Sequence, residues 1–139
     1  MSSMEAAAME SGANYGEEFR PQREVKVIKK DGSLEAFNVQ KVINAVGKSA
    51  YRALTKFTEE EKQHICQYVV DKVTELEQSE IPIPIMHNIV ESALENVKPI
   101  VAKSYRDYRN YKQDFVQMLD EVYKKSQAIM YIGDKENAN

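Results

Sequence analysis

The chain has 139 residues, a formal net charge of -3, 42% apolar residues and a single cysteine, Cys66. One cysteine excludes a disulfide framework or a cysteine zinc site within the chain, and no run approaches the roughly 18 apolar residues of a membrane span. The length suits one compact domain with a real core, and Met1 to Glu24 lacks the basic start and apolar middle of a secretory signal, so a cytoplasmic, reducing setting is expected.

The charge is unevenly placed. Residues 1–24 hold five acidic and two basic side chains, whereas residues 25–52 hold six basic ones against Asp31 and Glu35. This local positive field suits a small anion better than a nucleic-acid duplex, whose footprint is a broad basic face. With two histidines and no nucleophile motif, Ser-His-Asp or Cys-His catalysis has little support.

Met1 to Arg23 is rich in Ala, Ser, Gly and Glu without a sustained period and predicts a flexible leader with no structure. Val25 to Lys41 then predicts a hairpin feeding a helix. Asp31-Gly32 is a two-residue turn signal of type I′, in which both central residues take positive φ, and Asn38 is a good N-cap. Three lysines, Lys29, Lys30 and Lys41, and the backbone N–H groups of a helix start are thereby brought to one end of a small sheet, which is a chemistry for phosphate. A solvated basic edge that discourages aggregation is the alternative.

Val39, Val42, Ile43 and Val46 recur at helical spacing through about Arg52, and Gly47 weakens that helix unless it allows close packing. Thr58 to Glu61 is a capping box, and Ile65, Val69, Val73 and Leu76 mark one face of a second helix. Cys66 and Tyr68 read as packing residues, and His64 as a surface one. Ser79 to Pro84 must be extended, because two alternate prolines restrict the residues before them. Pro84 can open a third helix that carries Ile85, Ile89, Val90, Ala93, Leu94 and Val97. Pro99 opens a fourth, predicted to run to about Lys125 with Val101, Tyr105, Tyr108, Phe115, Leu119 and Val122 on one stripe. At 1.5 Å per residue it is roughly 40 Å long, so its far half is expected to lead out of the domain. Lys112 interrupts that stripe and needs a packed stem and a partner for its charge, at the bundle edge or on a ligand.

The order Val27-x-Lys29-Lys30-Asp31-Gly32-x-x-Glu35-x-Phe37-Asn38-x-x-Lys41 resembles the opening of the ATP-cone, a regulatory nucleotide-binding domain of many ribonucleotide reductases and of the repressor of their genes. The resemblance covers about Glu24 to Lys112. It implies a mainly α (α+β) fold, a short β-hairpin lid on a four-helix bundle, in residues 24–126, with 1–23 as leader and 127–139 as linker. ATP or dATP, with Mg2+, would bind beneath the lid. Lys29, Lys30 and Lys41 would contact phosphates; the run Glu35, Ala36, Phe37 and Asn38 would pass the adenine, with Phe37 as an apolar surface and Asn38 and backbone groups reading the base edge; Val27, Ile83, His87 and Lys112 would complete the site. His87 matches a position facing the ribose, where ATP and dATP differ; a half-buried histidine closing the helix start is the other reading.

Glu136-Asn-Ala-Asn139 resembles the junction before the catalytic barrel of the anaerobic, glycyl-radical (class III) reductases. The resemblance therefore implies a regulatory fragment without catalysis of its own, controlling deoxyribonucleotide synthesis, with ATP activating and dATP inhibiting. Its partners would be the catalytic domain and further copies in a homo-oligomer, not DNA, because the four-cysteine ribbon of the repressor has no counterpart here. A helical interaction module with no nucleotide site stands as the rival.

Overall fold

The computed structural model describes residues 14–137, with side chains through residue 127. Met1 to Ala13 of the expected leader and the Ala138-Asn139 end of the junction motif lie outside the described residues. The order is α1 Tyr15–Glu18, β1 Lys26–Ile28, β2 Leu34–Ala36, α2 Val39–Arg52, α3 Glu59–Glu75, β3 Glu80–Pro82, α4 Ile83–Val97 and α5 Pro99–Asn137. The fold is mainly helical with a small three-stranded sheet. Four helices were expected and five are described, the extra one being the single turn α1. No helix among the described residues is long and apolar enough to cross a membrane.

The chain divides into two units, one running to Arg106 and the other from Asp107. In the first, β1 is the central strand of the order β2-β1-β3. It pairs antiparallel with β2, setting Val27 opposite Glu35, and parallel with β3, setting Val27 opposite Ile81. The stretch expected only to be extended is thus a strand. Ile81 is fully buried, and Pro82 is tolerated because it ends an edge strand. Beneath the sheet, Val39 and Val46 of α2, Ile65, Val69 and Val73 of α3, Leu94 of α4 and Val101 of α5 are all fully buried in one apolar cluster.

The helix starts follow their sequence signals. Thr58 caps α3 through the reciprocal box, its hydroxyl accepting from the Glu61 amide at 3.1 Å while Glu61 accepts from the Thr58 amide at 2.9 Å. Cys66 is fully buried, and desolvation pushes its thiol up to about 12, so it is an inert packing residue. A Cβ at Gly47 would meet nothing within 4 Å, so that glycine permits no close approach and only weakens α2. Pro84 takes the second helical position of α4, one residue later than expected, with Pro82 as N-cap.

The hairpin turn differs from its prediction. Only Gly32 takes positive φ, at 84°, and the loop closes by Gly32 N–H to the Lys29 carbonyl and Lys29 N–H to the Ser33 carbonyl, both 2.9 Å. This is a three-residue loop ending in a left-handed glycine, not a two-residue one. Asp31 is the reason: its carboxylate accepts from the Ser33 amide at 3.0 Å and the Ser33 hydroxyl at 2.6 Å, a local bond that competes with the tighter turn.

Residues 14–23 also depart from the expected structureless leader. Tyr15 is 1% exposed. The Arg23 guanidinium donates to the carbonyls of Val73 and Gln78, both at 3.0 Å, and Thr74 at 3.2 Å, tying this segment to the end of α3 and the loop that follows it.

In the second unit, α5 continues to Asn137, past the expected end near Lys125. Tyr108, Phe115, Leu119 and Val122 of the expected stripe are exposed, by 41% to 54%. Tyr111 and Phe115 stack at 6.1 Å, and Lys124 pairs with Asp120 at 3.0 Å.

Candidate functional site

Parallel strands leave a sheet at the same end. Because Ile28 is aligned with Pro82, the residues that follow them, Lys29 at the base of the hairpin loop and Ile83 at the first position of α4, emerge together. Lys30 is exposed in the same loop. Lys41 comes from the other direction, in the first turn of α2.

Glu35 joins them. Cross-strand partners share a face, so Glu35 shares the face on which Val27 and Ile81 are buried, placing a carboxylate on the inward side of an edge strand. Its side chain is 33% exposed and pairs with Lys41 and, at 3.9 Å, with Lys29. Ion pairs this exposed are each worth about 0 to 1 kcal/mol, so a multiply charged anion can take over the ammonium groups at small cost. The Ser33 hydrogen bonds hold the Asp31 carboxyl below the usual carboxylate range and keep it in the turn. Two elements thus converge cations beside the start of α2, where the helix dipole also favours negative charge.

A second set of groups lies on the outer edge of β2. The hydrogen-bonded pairs of the hairpin include Lys29 with Ser33 and, four residues along each strand, Phe37 with Val25, whose carbonyl accepts from the Phe37 amide at 2.9 Å. Ala36 falls between such pairs, opposite Lys26, so its N–H and C=O point away from β1. Among the described residues no strand pairs with that edge. Phe37 is half-buried against the core cluster and gives the edge an apolar end.

Asn38 caps α2, its Oδ1 accepting from the Gln40 amide at 2.9 Å. That bond assigns the carboxamide oxygen inward and leaves Nδ2 as the group for a partner. The α1 turn packs on this cap: the Tyr15 amide donates to Gln40 Oε1 at 3.0 Å, and the Tyr15 hydroxyl donates to the Glu59 carboxylate at 2.8 and 3.0 Å. Burial, and next the bond to Glu59, raise the Tyr15 phenol well above its ordinary range, so it stays a neutral donor.

Ile83 is partly buried against the core, as an apolar residue there should be. His87 lies four residues on, hence on the same face of α4. It is half-buried, with Nδ1 2.8 Å from the Tyr105 hydroxyl and the two rings edge to face at 6.0 Å. Tyr105 therefore orients the imidazole.

Val27, Lys29, Lys30, Glu35, Ala36, Phe37, Asn38, Lys41, Ile83 and His87 all lie in the first unit, on the hairpin and at the beginnings of α2 and α4. Lys112 belongs to the second unit, where its ammonium lies 5.6 Å from the centre of the Tyr108 ring, the partner its charge required. Sequence reasoning missed Tyr15, Gly16 and Tyr105. A signal existed for the first two: Asn14 sits three residues before Glu17, and its Oδ1 accepts from the Glu17 amide at 3.3 Å, a helix start in miniature. Tyr105 was indistinguishable from the rest of its apolar stripe.

Among the described residues no cluster of three His, Cys, Asp or Glu could hold a metal ion. No curated protein matches the chain. A family model described as ATP cone domain matches residues 25–114, from the residue before β1 into α5.

Proposed function

Since the chain belongs to the ATP-cone family, whose members are generally nucleotide-binding regulatory domains rather than catalytic ones, we propose that it is the ATP- and dATP-sensing domain of a ribonucleotide reductase. The observation that carries this reading is the convergence of Lys29 and Lys41 from two elements on Glu35, beside the capped start of α2. Here the triphosphate takes Lys29, Lys30 and Lys41, whose flexible ammonium groups act on it as point charges. Mg2+ arrives on the phosphate oxygens themselves, as is usual for that ion.

The adenine lies along the outer edge of β2 against Phe37. Its 6-amino group donates to the Ala36 carbonyl, and its ring nitrogens accept from the Ala36 amide and from Asn38 Nδ2. Guanine offers an acceptor where adenine offers a donor and mismatches this edge. The ribose faces Ile83 and His87, where a 2′-hydroxyl can donate and accept and a deoxyribose cannot. ATP favours the active state of the reductase and dATP the inactive one, each by binding the two states with different affinity, since equal affinity shifts nothing. The Glu136 to Asn139 run supports the anaerobic, glycyl-radical class, with its catalytic domain as partner.

The rival, a helical interaction module, is favoured by one observation: Glu35 already offsets two of the lysines. Thermal melting separates the two. A ligand at a hundredfold excess over Kd stabilises by about 2.7 kcal/mol, a shift of several degrees for a domain this size. ATP and dATP with magnesium are expected to give that shift, GTP and CTP less, and inorganic triphosphate only the lysine part. Equal shifts from all would remove the base reading, and no shift from any would leave the interaction module.

A further inference from the structure

The α1 turn precedes the stretch matched by the family model, yet it is bonded to the cap on which the base reading depends. Gln40 is the link, because its backbone amide holds Asn38 Oδ1 and its side-chain Oε1 holds the Tyr15 amide. The Tyr15 ring, 1% exposed, anchors the turn in the core, and its hydroxyl reaches Glu59 at the first position of α3. Gly16 is then pressed against the Asn38 carboxamide. A Cβ at Gly16 would lie 2.9 Å from Asn38 Cγ and 3.1 Å from Nδ2, and closer still to Oδ1, nearer than real Cβ atoms approach their neighbours. Asn38 cannot yield freely, since moving Oδ1 breaks the bond that caps α2.

We propose that the Asn14–Phe19 turn is a wall of the adenine subsite and that Gly16 is a specificity-determining position, holding the Asn38 carboxamide with Oδ1 on the Gln40 amide and Nδ2 toward the base. The inference rests on the adenine reading above and adds to it a segment from outside the matched stretch. Gly16 is a positioning residue: it touches Asn38, and Asn38 touches the base. A side chain at position 16 displaces the carboxamide, so the one side-chain group that distinguishes an acceptor nitrogen from a donor is misaimed. The lysines are untouched, and phosphate affinity is unaffected.

The test is calorimetric titration of the full chain and of Gly16→Ala and Tyr15→Phe with ATP, GTP and inorganic triphosphate. Gly16→Ala is expected to lower the preference for ATP over GTP about five- to tenfold, the scale of one hydrogen bond, with the triphosphate affinity unchanged. Tyr15→Phe keeps the ring, folds, and loosens the turn from Glu59, and is expected to lower the preference in the same direction by a smaller factor. If the unsubstituted chain discriminates and both variants discriminate as well as it does, the wall assignment is wrong while the adenine reading stands. If all three ligands weaken equally in Gly16→Ala, the glycine acts through stability alone and the proposal falls. If the unsubstituted chain itself shows no preference, the adenine reading fails and takes the role of Gly16 with it.

Discussion

Glu35 on β2 and Lys41 on α2 are joined by an ion pair that ties the edge of the sheet to the first turn of the helix. Lys29 is drawn to the same carboxylate at 3.9 Å. One acidic side chain therefore keeps two cations close together that would otherwise repel each other, and competes with any anion for them.

From this pair comes a prediction with opposite signs. Lys29→Ala and Lys41→Ala are each expected to weaken ATP binding by about 1 to 3 kcal/mol, as for charge-assisted hydrogen bonds. Glu35→Gln is expected to strengthen inorganic triphosphate binding about two- to fivefold, because the competing exposed pairs are worth at most about 1 kcal/mol. Calorimetry reads both, and unchanged affinity in the two lysine variants would place the phosphates elsewhere.

The base edge can be edited without touching the pairing of the sheet. Ala36→Pro removes an outward N–H, which an edge strand tolerates, and Asn38→Asp keeps the capping oxygen while removing the Nδ2 donor. Both variants are expected to melt within a few degrees of the parent and to weaken ATP binding about five- to tenfold, and Asn38→Asp also to lose the preference for ATP over inosine triphosphate, whose ring carries a proton where adenine has a lone pair. Unchanged ATP affinity in both would show that the base lies off this edge.

At the ribose, His87→Ala is expected to change the ratio of ATP to dATP affinity more than it weakens dATP binding. Tyr105→Phe, which removes the hydroxyl 2.8 Å from Nδ1, is expected to move the ratio the same way by a smaller factor. Competition titrations measure it. Equal losses for the two nucleotides would take His87 away from the 2′ position.

Acid sensitivity has a local source in the α3 cap. The Thr58 amide, and after it the charge of Lys98 at 3.4 Å, hold the Glu61 carboxyl below its ordinary value of 4.5. A depressed folded-state value means that its stabilisation is complete above the ordinary value and is lost as pH falls through the folded one. Glu61→Gln keeps a capping side chain without a charge. It is expected to melt a few degrees below the parent at pH 7, with the gap closing as pH drops below about 4.5. A gap constant with pH would mean that the charge contributes nothing.

Most of the framework was legible because its signals are local. Asn38 and Thr58 announce their helices through bonds spanning two or three residues, and the spacing of Val39, Ile43 and Val46 faces them inward. What escaped was decided at a distance. Ser79 to Pro82 reads as extended from its prolines, but its partnership with β1 depends on a strand far back in the chain. Tyr15 carries no periodicity, and its burial is set by Gln40 and Glu59. The turn failed for a local reason of its own, the Asp31 carboxylate bonding Ser33. The lysines of the site were legible as charges, but their shared carboxylate was not, because Glu35 reaches Lys29 only once the hairpin pairs and Lys41 only once β2 and α2 meet.

The placement of β1 between a near neighbour and a distant one also sets an order of assembly. The β1–β2 hairpin closes a short loop and can form early, but two strands alone are marginal in water. Its other edge is completed only when Glu80 to Pro82 has crossed back past α2 and α3, a long-range closure that comes late and slowly. Ile83 and His87 follow directly on that strand. During synthesis the lysines and Asn38 leave the ribosome well before Ile83 and His87, so the groups proposed for phosphate and base are in place before those proposed to tell a ribose from a deoxyribose.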